Sequence, residues 1–315
     1  MNDPFATANQ FKPRVLPLSV AVIAAAGLLA TTSAAFASSG PGKVVAVGAE
    51  NEYANVIAQI GGPYVSVTAV MSNPNTDPHE FEASASVAEE VSHAQLIVQN
   101  GVGYDTFMNK IESASHRSDR QVIVAQELIG AASDAFNPHL WYDPRTMPEV
   151  ASAVATDLSR LEPAHAAYFK SNVKTFDQSL QPWFTAIANF KKAHPGVPVA
   201  VTEPVADYML QAAGAEIKTP DSLQAAIMNG TDPSPQGISL EEQLLTKHEV
   251  RVFLYNQQVT DSLTATFLSD ATKGHVPVVG VYETMPTPGY DYQSWMMAEM
   301  NALRLALNGT STVKL

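Results

Sequence analysis

The sequence predicts an α/β protein of two parallel-sheet lobes joined by one long backbone helix, with a ligand cleft between the lobes. Two observations carry this reading. Short β-branched runs alternate with helical stretches in both halves of the chain, the pattern of βαβ units and parallel sheets. Between the halves, residues 148–193 show no strand signal and read as helix throughout.

The elements follow in order. Strands are expected at 43–47, 65–71, 95–98 and 121–125 in the first half, and at 197–202, 216–219, 250–255 and 276–282 in the second. Helices are expected at 51–60, 86–92, 104–115, 204–213, 240–247, 261–273 and 291–307. In the middle, 148–161 reads as one helix closed by Glu162-Pro163. Residues 163–193 read as a second, with Tyr168, Phe169, Val173, Phe176, Leu180, Trp183, Phe184, Ile187 and Phe190 mostly three or four apart. Pro182 should kink or step that helix. The expected organisation is a leader at 1–37, an N-terminal lobe at 38–162, the linking helix at 163–193 and a C-terminal lobe at 194–315.

The leader reading rests on Lys12 and Arg14, then an apolar run over 15–30, then Ala35-Phe36-Ala37. Basic start, apolar middle and A-x-A cut site are the layout of a cleavable secretory signal. A membrane anchor is the competing reading, but the run breaks early into small and polar residues. Localisation is therefore expected to be periplasmic.

Composition excludes several classes. The chain has 315 residues and 46% hydrophobic content, enough for one large or two medium domains. With 0 cysteines it has no disulfide, thiolate metal site or cysteine nucleophile. A net charge of -13 argues against nucleic acid and anionic membrane as partners.

The chemistry lies in two loops and two carboxylates. Asp77-Pro78-His79-Glu80-Phe81-Glu82 and Asn137-Pro138-His139-Leu140-Trp141-Tyr142-Asp143-Pro144 each place a histidine after a proline, with an aromatic residue two positions on. Proline fixes φ just before each histidine and limits where the imidazole points. The aromatic ring is expected to wall the site from water. In the second half, Glu203 (Thr202-Glu203-Pro204) and Glu283 (Tyr282-Glu283-Thr284) each end a strongly apolar strand. Ligands of open α/β sheets bind beyond the strand ends. Two imidazoles and two carboxylates make a four-residue site for a divalent transition metal. Read one at a time, each has a plainer role: a loop or capping histidine, a solvated or capping glutamate. The matched pair of Pro-His loops is what favours ligation. The other histidines, His93, His116, His165, His194, His248 and His275, read as helix-terminal or loop residues.

At these residues the chain resembles the periplasmic zinc/manganese-binding proteins of ABC importers, the cluster A-I solute-binding family, over about residues 43–308. The two Pro-His motifs look like the family's first two ligand loops. Asp232-Pro233-Ser234-Pro235 is similar to its acidic-Pro-Ser-Pro turn, and residues 292–307 resemble its C-terminal helix. The third ligand is often His in zinc members and Glu in manganese members. Glu203 stands there, five residues before Tyr208. The fourth is usually Asp; here it is Glu283. Where the family often has Glu-Pro-Gln, this chain has Tyr255-Asn256-Gln257-Gln258, and the histidine-rich loop of many zinc members is missing.

The resemblance implies an extracytoplasmic binding protein, not an enzyme, that hands Mn²⁺ or Zn²⁺ to the membrane permease of an ABC importer and acts as a monomer. Its metal ligands would be His79, His139, Glu203 and Glu283. The absent histidine-rich loop and the two carboxylates lean the cargo towards manganese, although Zn²⁺ binds most N/O sites more tightly. The alternative is a secreted metal-dependent hydrolase, which usually has three protein ligands and an open position for water. No H-E-x-x-H or G-x-S-x-G motif is present. A surface adhesin has no feature in its favour.

Overall fold

Val44 to Ala49 form an almost unbroken apolar run, and in the computed structural model they make up most of strand β1 (Val44–Glu50), buried at every position except Val45. The structure describes residues 42–75 and 77–315, so the expected leader at 1–37 lies outside the described residues. A strand buried on both faces belongs inside a parallel sheet. β1 pairs in parallel with β2 (Val65–Met71) and with β3 (Leu96–Gln99), and β3 pairs with β4 (Gln121–Val124). The strand order is β2-β1-β3-β4. Five helices cross between and follow these strands: α1 (Asn51–Gly61), α2 (Ala85–His93), α3 (Thr106–Ala114), α4 (Ala125–Ile129) and α5 (Thr146–Leu161). The β1–α1 turn is tight: a side chain at Gly48 would collide with the backbone of Ala54.

The second sheet repeats the order. β5 (Pro198–Val201), β6 (Glu216–Ile217), β7 (Val252–Asn256) and β8 (Val278–Val281) run in parallel as β6-β5-β7-β8. In each sheet the chain reverses direction of growth beside the first strand, between β1 and β3 and between β5 and β7. Such switch points open a crevice at the carboxyl ends of the strands.

The connecting helix is α6 (Ala166–Ala193), 28 residues long, or about 42 Å. It is shorter at its start than expected, because Pro163–His165 form a separate 3-10 turn. It continues through Pro182. Its buried stripe, Phe169, Phe176, Leu180, Trp183, Ile187 and Phe190, packs on α1 and α5 on one side and α11 (Tyr292–Ala306) on the other.

Three helices escaped the sequence reading in whole or part. α4 (Ala125–Ile129) begins on the last residue of the strand expected at 121–125. α8 (Asp221–Met228) is short and starts directly after Pro220. α9 (Pro235–Thr246) begins five residues before the expected 240, with Ser234 as N-cap accepting from Gly237 N–H and Pro235 in its first turn. The Asp-Pro-Ser-Pro run is therefore a helix start as well as a turn. α7 (Asp207–Ala212) and α10 (Ser262–Lys273) fall within the expected ranges. Among the described residues no helix is long and apolar enough to cross a membrane.

Two lobes suggest two separate cores. Instead, one cluster of buried residues runs from β1 and α1 through α5 and α6 into β5, β8 and α11. Smaller clusters lie on the outer face of each sheet. The reason is α6: its aromatic stripe serves both lobes and fuses their inner layers.

The C-terminal lobe also buries a carboxyl. Glu241 on α9 is 0% exposed, and burial pushes its pKa to about 8. Folding therefore holds a proton that the unfolded chain releases above its ordinary value of 4.5. Stability from this group is full below that value and is lost as pH rises to about 8, by roughly 1.4 kcal/mol per pH unit. Glu241→Gln should remove that loss, so the variant should outlast the parent in urea at pH 8 while matching it near pH 5. Equal midpoints at pH 8 would mean that Glu241 is ionised and paired.

Candidate metal centre

His79 lies in a 3-10 turn, Pro78–Glu80, whose N-cap Asp77 accepts the His79 N–H at 2.8 Å. The turn follows β2, so the imidazole emerges at the carboxyl edge of the first sheet. His139 reaches the same edge by a different route. Its approach from β4 includes α4, and Leu140-Trp141-Tyr142 behind it are fully buried in the main core. Asn137 Oδ1 accepts from the His139 backbone N–H at 2.9 Å and lies 2.8 Å from His139 Nδ1. That oxygen assigns the proton of the neutral ring to Nδ1 and leaves the Nε2 lone pair facing the cleft. Asn137 is held in turn: its Nδ2 donates to Pro204 O at 2.7 Å, and Tyr208 O–H donates to Asn137 O at 2.9 Å.

From the second sheet come Glu203, two residues beyond β5, and Glu283, two residues beyond β8. Glu283 Oε2 lies 3.0 Å from His139 Nε2 and 3.2 Å from His79 Nε2. Glu203 Oε2 lies 4.0 Å from His79 Nε2 and has no hydrogen-bond partner. His79, His139 and Glu283 thus bring ligand atoms within 4.8 Å of one another, while Glu203, the fourth residue singled out from the sequence, borders the same cleft but stands outside that group. Ligand atoms around a tetrahedral metal with bonds of about 2.0–2.1 Å are separated by roughly 3.3 Å, and the spacings here straddle that value. His139, Glu203 and Glu283 are buried; the His79 side chain keeps 22% exposure and is the donor nearest to solvent.

Electrostatics favour a cation. Burial alone would lift both carboxyls. Glu203 is lifted well above its ordinary value, first by burial and then by the charge of Glu283. Glu283 is also pushed up by burial, but the two histidines outweigh this and bring it below the usual carboxylate range. Burial lowers His139. It also works against a charged His79, but contact with Glu283 reverses the balance and raises that ring. Burial thus penalises the charged form of both carboxylates, a cost that a dication between them would relieve.

Several contributing residues were not singled out from the sequence. Tyr104 O–H donates to Glu283 Oε2 at 2.9 Å. Tyr104, not Phe81, is the ring set edge-on against His79, with centroids 5.5 Å apart; Phe81 turns to Phe107 at 4.9 Å. Trp141 does wall His139, as expected, at 5.3 Å. Gln258 Oε1 accepts from the N–H groups of Glu283 and Thr284 at 2.7 and 2.8 Å. Asn51 brackets Met285 from the other lobe, donating to its O at 2.8 Å and accepting from its N–H at 3.0 Å. Asn51 starts α1 and Gln258 follows β7, so no local pattern connects them to Glu283. The remaining histidines serve elsewhere: His165 stacks on Tyr64, and His248 Nδ1 lies 2.9 Å from Gly274 O.

The chain matches the model of the family described as zinc-uptake complex component A, periplasmic, over residues 47–306. One similar curated protein is the manganese-binding lipoprotein MntA of Bacillus subtilis, 26% identical over 137 residues, or 42% of this chain and 44% of MntA. Another is the zinc-binding protein TroA of Treponema pallidum, 28% identical over 169 residues, or 51% of this chain and 54% of TroA. The chain thus spans about half the length of these curated relatives. Among solved structures, the periplasmic zinc-binding protein TroA of Treponema pallidum aligns with a TM-score of 0.71 and 20% identity, covering 84% of this chain and 99% of that one. The solute-binding protein FpvC of Pseudomonas aeruginosa, in complex with Mn²⁺, aligns with a TM-score of 0.69 and 18% identity, covering 85% and 99%. At these identities the structural likeness is one of fold.

Proposed function

Because the chain belongs to the family of periplasmic zinc-uptake complex component A proteins, we propose that it captures a divalent transition metal, Mn²⁺ or Zn²⁺, outside the cytoplasm and delivers it to the permease of an ABC importer. The ligands are His79 and His139 from the first lobe and Glu203 and Glu283 from the second. One observation carries the reading: His79, His139 and Glu283 converge from three separate loops, and Glu203 Oε2, a buried oxygen with no protein partner, borders them 4.0 Å from His79 Nε2.

The protein acts as a carrier. Four protein donors around one metal leave no position for the activated water that a hydrolase needs, so the arrangement supports capture over catalysis. The names of the relatives point the same way, since MntA and TroA are described as binding proteins. The ligand set spans both lobes, so separating the lobes at the permease would break it and release the ion.

The test is uptake. A strain lacking the gene should grow poorly when its medium is depleted of the cargo metal, and that metal alone should restore growth. Normal growth and normal metal content under both zinc and manganese depletion would refute the transport reading.

A further inference from the structure

Asn256 stands at the end of β7, 0% exposed, directly behind the two carboxylates. Its side-chain orientation is set from outside the site: Asn256 Oδ1 accepts the Gln258 backbone N–H at 3.0 Å, which leaves Nδ2 pointing at the glutamates. Both hydrogens of that amide are used. Nδ2 donates to Glu283 Oε1 at 2.7 Å and to Glu203 Oε1 at 3.2 Å. The sister oxygens are the ones turned towards the histidines, Glu283 Oε2 at 3.0 and 3.2 Å and Glu203 Oε2 at 4.0 Å. Each carboxylate is thus divided in the same sense, one oxygen to the protein and one to the cleft.

We propose that Asn256 is a specificity-determining positioning residue: by holding Oε1 of both glutamates it restricts each to one donor oxygen and fixes a four-coordinate site that prefers Zn²⁺ over Mn²⁺. This rests on the metal-binding reading above. A glutamate that swung to chelate through both oxygens would leave a buried amide hydrogen without a partner, and such a donor is costly to strand. Two glutamates with one oxygen each and two imidazoles supply four donors, the number zinc favours in tetrahedral geometry. Mn²⁺ favours six, largely from oxygen. The lean towards manganese drawn from the carboxylates in the sequence is reversed here, because Asn256 withdraws half of the oxygen supply. The backbone of Glu283 is pinned as well, by Gln258 and by Asn51 through Met285, so the loop has little freedom to compensate.

The experiment uses Co²⁺ as a spectroscopic probe and Zn²⁺ and Mn²⁺ in competition titrations, on the full folded chain. The parent loaded with Co²⁺ should show the intense visible bands of a four-coordinate ion. Asn256→Ala should replace them with the weak bands of a five- or six-coordinate ion, and should shift the Zn²⁺/Mn²⁺ affinity ratio towards manganese by about tenfold, the lower end of outer-shell effects. A merely structural role would weaken both metals alike and leave the Co²⁺ spectrum unchanged; that result overturns the assignment of Asn256. Weak bands in the parent overturn it too, whether or not the variant folds. If the parent binds none of the three ions, the metal-site reading falls and this inference falls with it.

Discussion

His139→Ala should bind Zn²⁺ and Mn²⁺ at least about a hundredfold more weakly than the parent, beyond the 10–100-fold that losing an outer-shell partner costs. The imidazole is fully buried, and Asn137 fixes its proton so that Nε2 faces Glu283 Oε2 at 3.0 Å. Its removal takes away a proposed ligand at a fully buried position. It also strips Glu283 of one of the two groups that keep its carboxylate ionised. The metal would then bind to an incomplete set beside a carboxyl more prone to protonation. His79→Ala should cost less, because that side chain is 22% exposed and solvent can supply the missing donor. Competition with a chromophoric chelator measures both. Parental affinity in His139→Ala, with a normal far-ultraviolet spectrum, would remove His139 from the ligand set.

The second large effect is on stability. With free metal held at a thousand times its dissociation constant, unfolding should require about 4 kcal/mol more than in the metal-stripped protein. For a chain of this size that corresponds to a melting temperature higher by about 6–7 °C. The donors come from two lobes, and one buried cluster joins those lobes through α6. The gain should therefore appear in a single transition that moves as a whole. Calorimetry of stripped and loaded protein decides the point. A loaded protein with two transitions, only one of them shifted, would mean that the lobes unfold separately despite their shared core. The same cluster explains why a ligand loop variant should still fold: His139 sits at the edge of the core, whereas Trp141 and Tyr142 are inside it.

Much of the architecture was legible because it is local. Apolar runs of four to seven residues read as buried strands, and β2 occupies the expected residues. The aromatic stripe of α6 has helical spacing, and its length follows. What was missed has local causes as well. α8 has few long apolar residues to mark a periodic face, and the start of α9 lies behind two prolines that read equally well as a turn.

The proposed ligands divide in the same way. His79 and His139 stand in short motifs whose prolines and aromatics are adjacent in sequence, and Glu203 and Glu283 end apolar strands, so each could be named from its neighbours. The approach of His79, His139 and Glu283 to within 3.0–3.2 Å, with Glu203 4.0 Å from His79, was beyond those motifs. It depends on two sheets with matching strand order, whose carboxyl ends bring His79 and Glu283 to 3.2 Å. The residues that tune the site were hidden for a further reason. Tyr104 is 179 positions from Glu283, and Asn51 is 234 from Met285. Asn256 was visible only as a departure from a familiar tripeptide. Sequence determined which donors are available, since donor chemistry belongs to the side chain itself. Only the tertiary structure decided which oxygen of each carboxylate is turned to the cleft, because a distant amide, Asn256 Nδ2, holds the other.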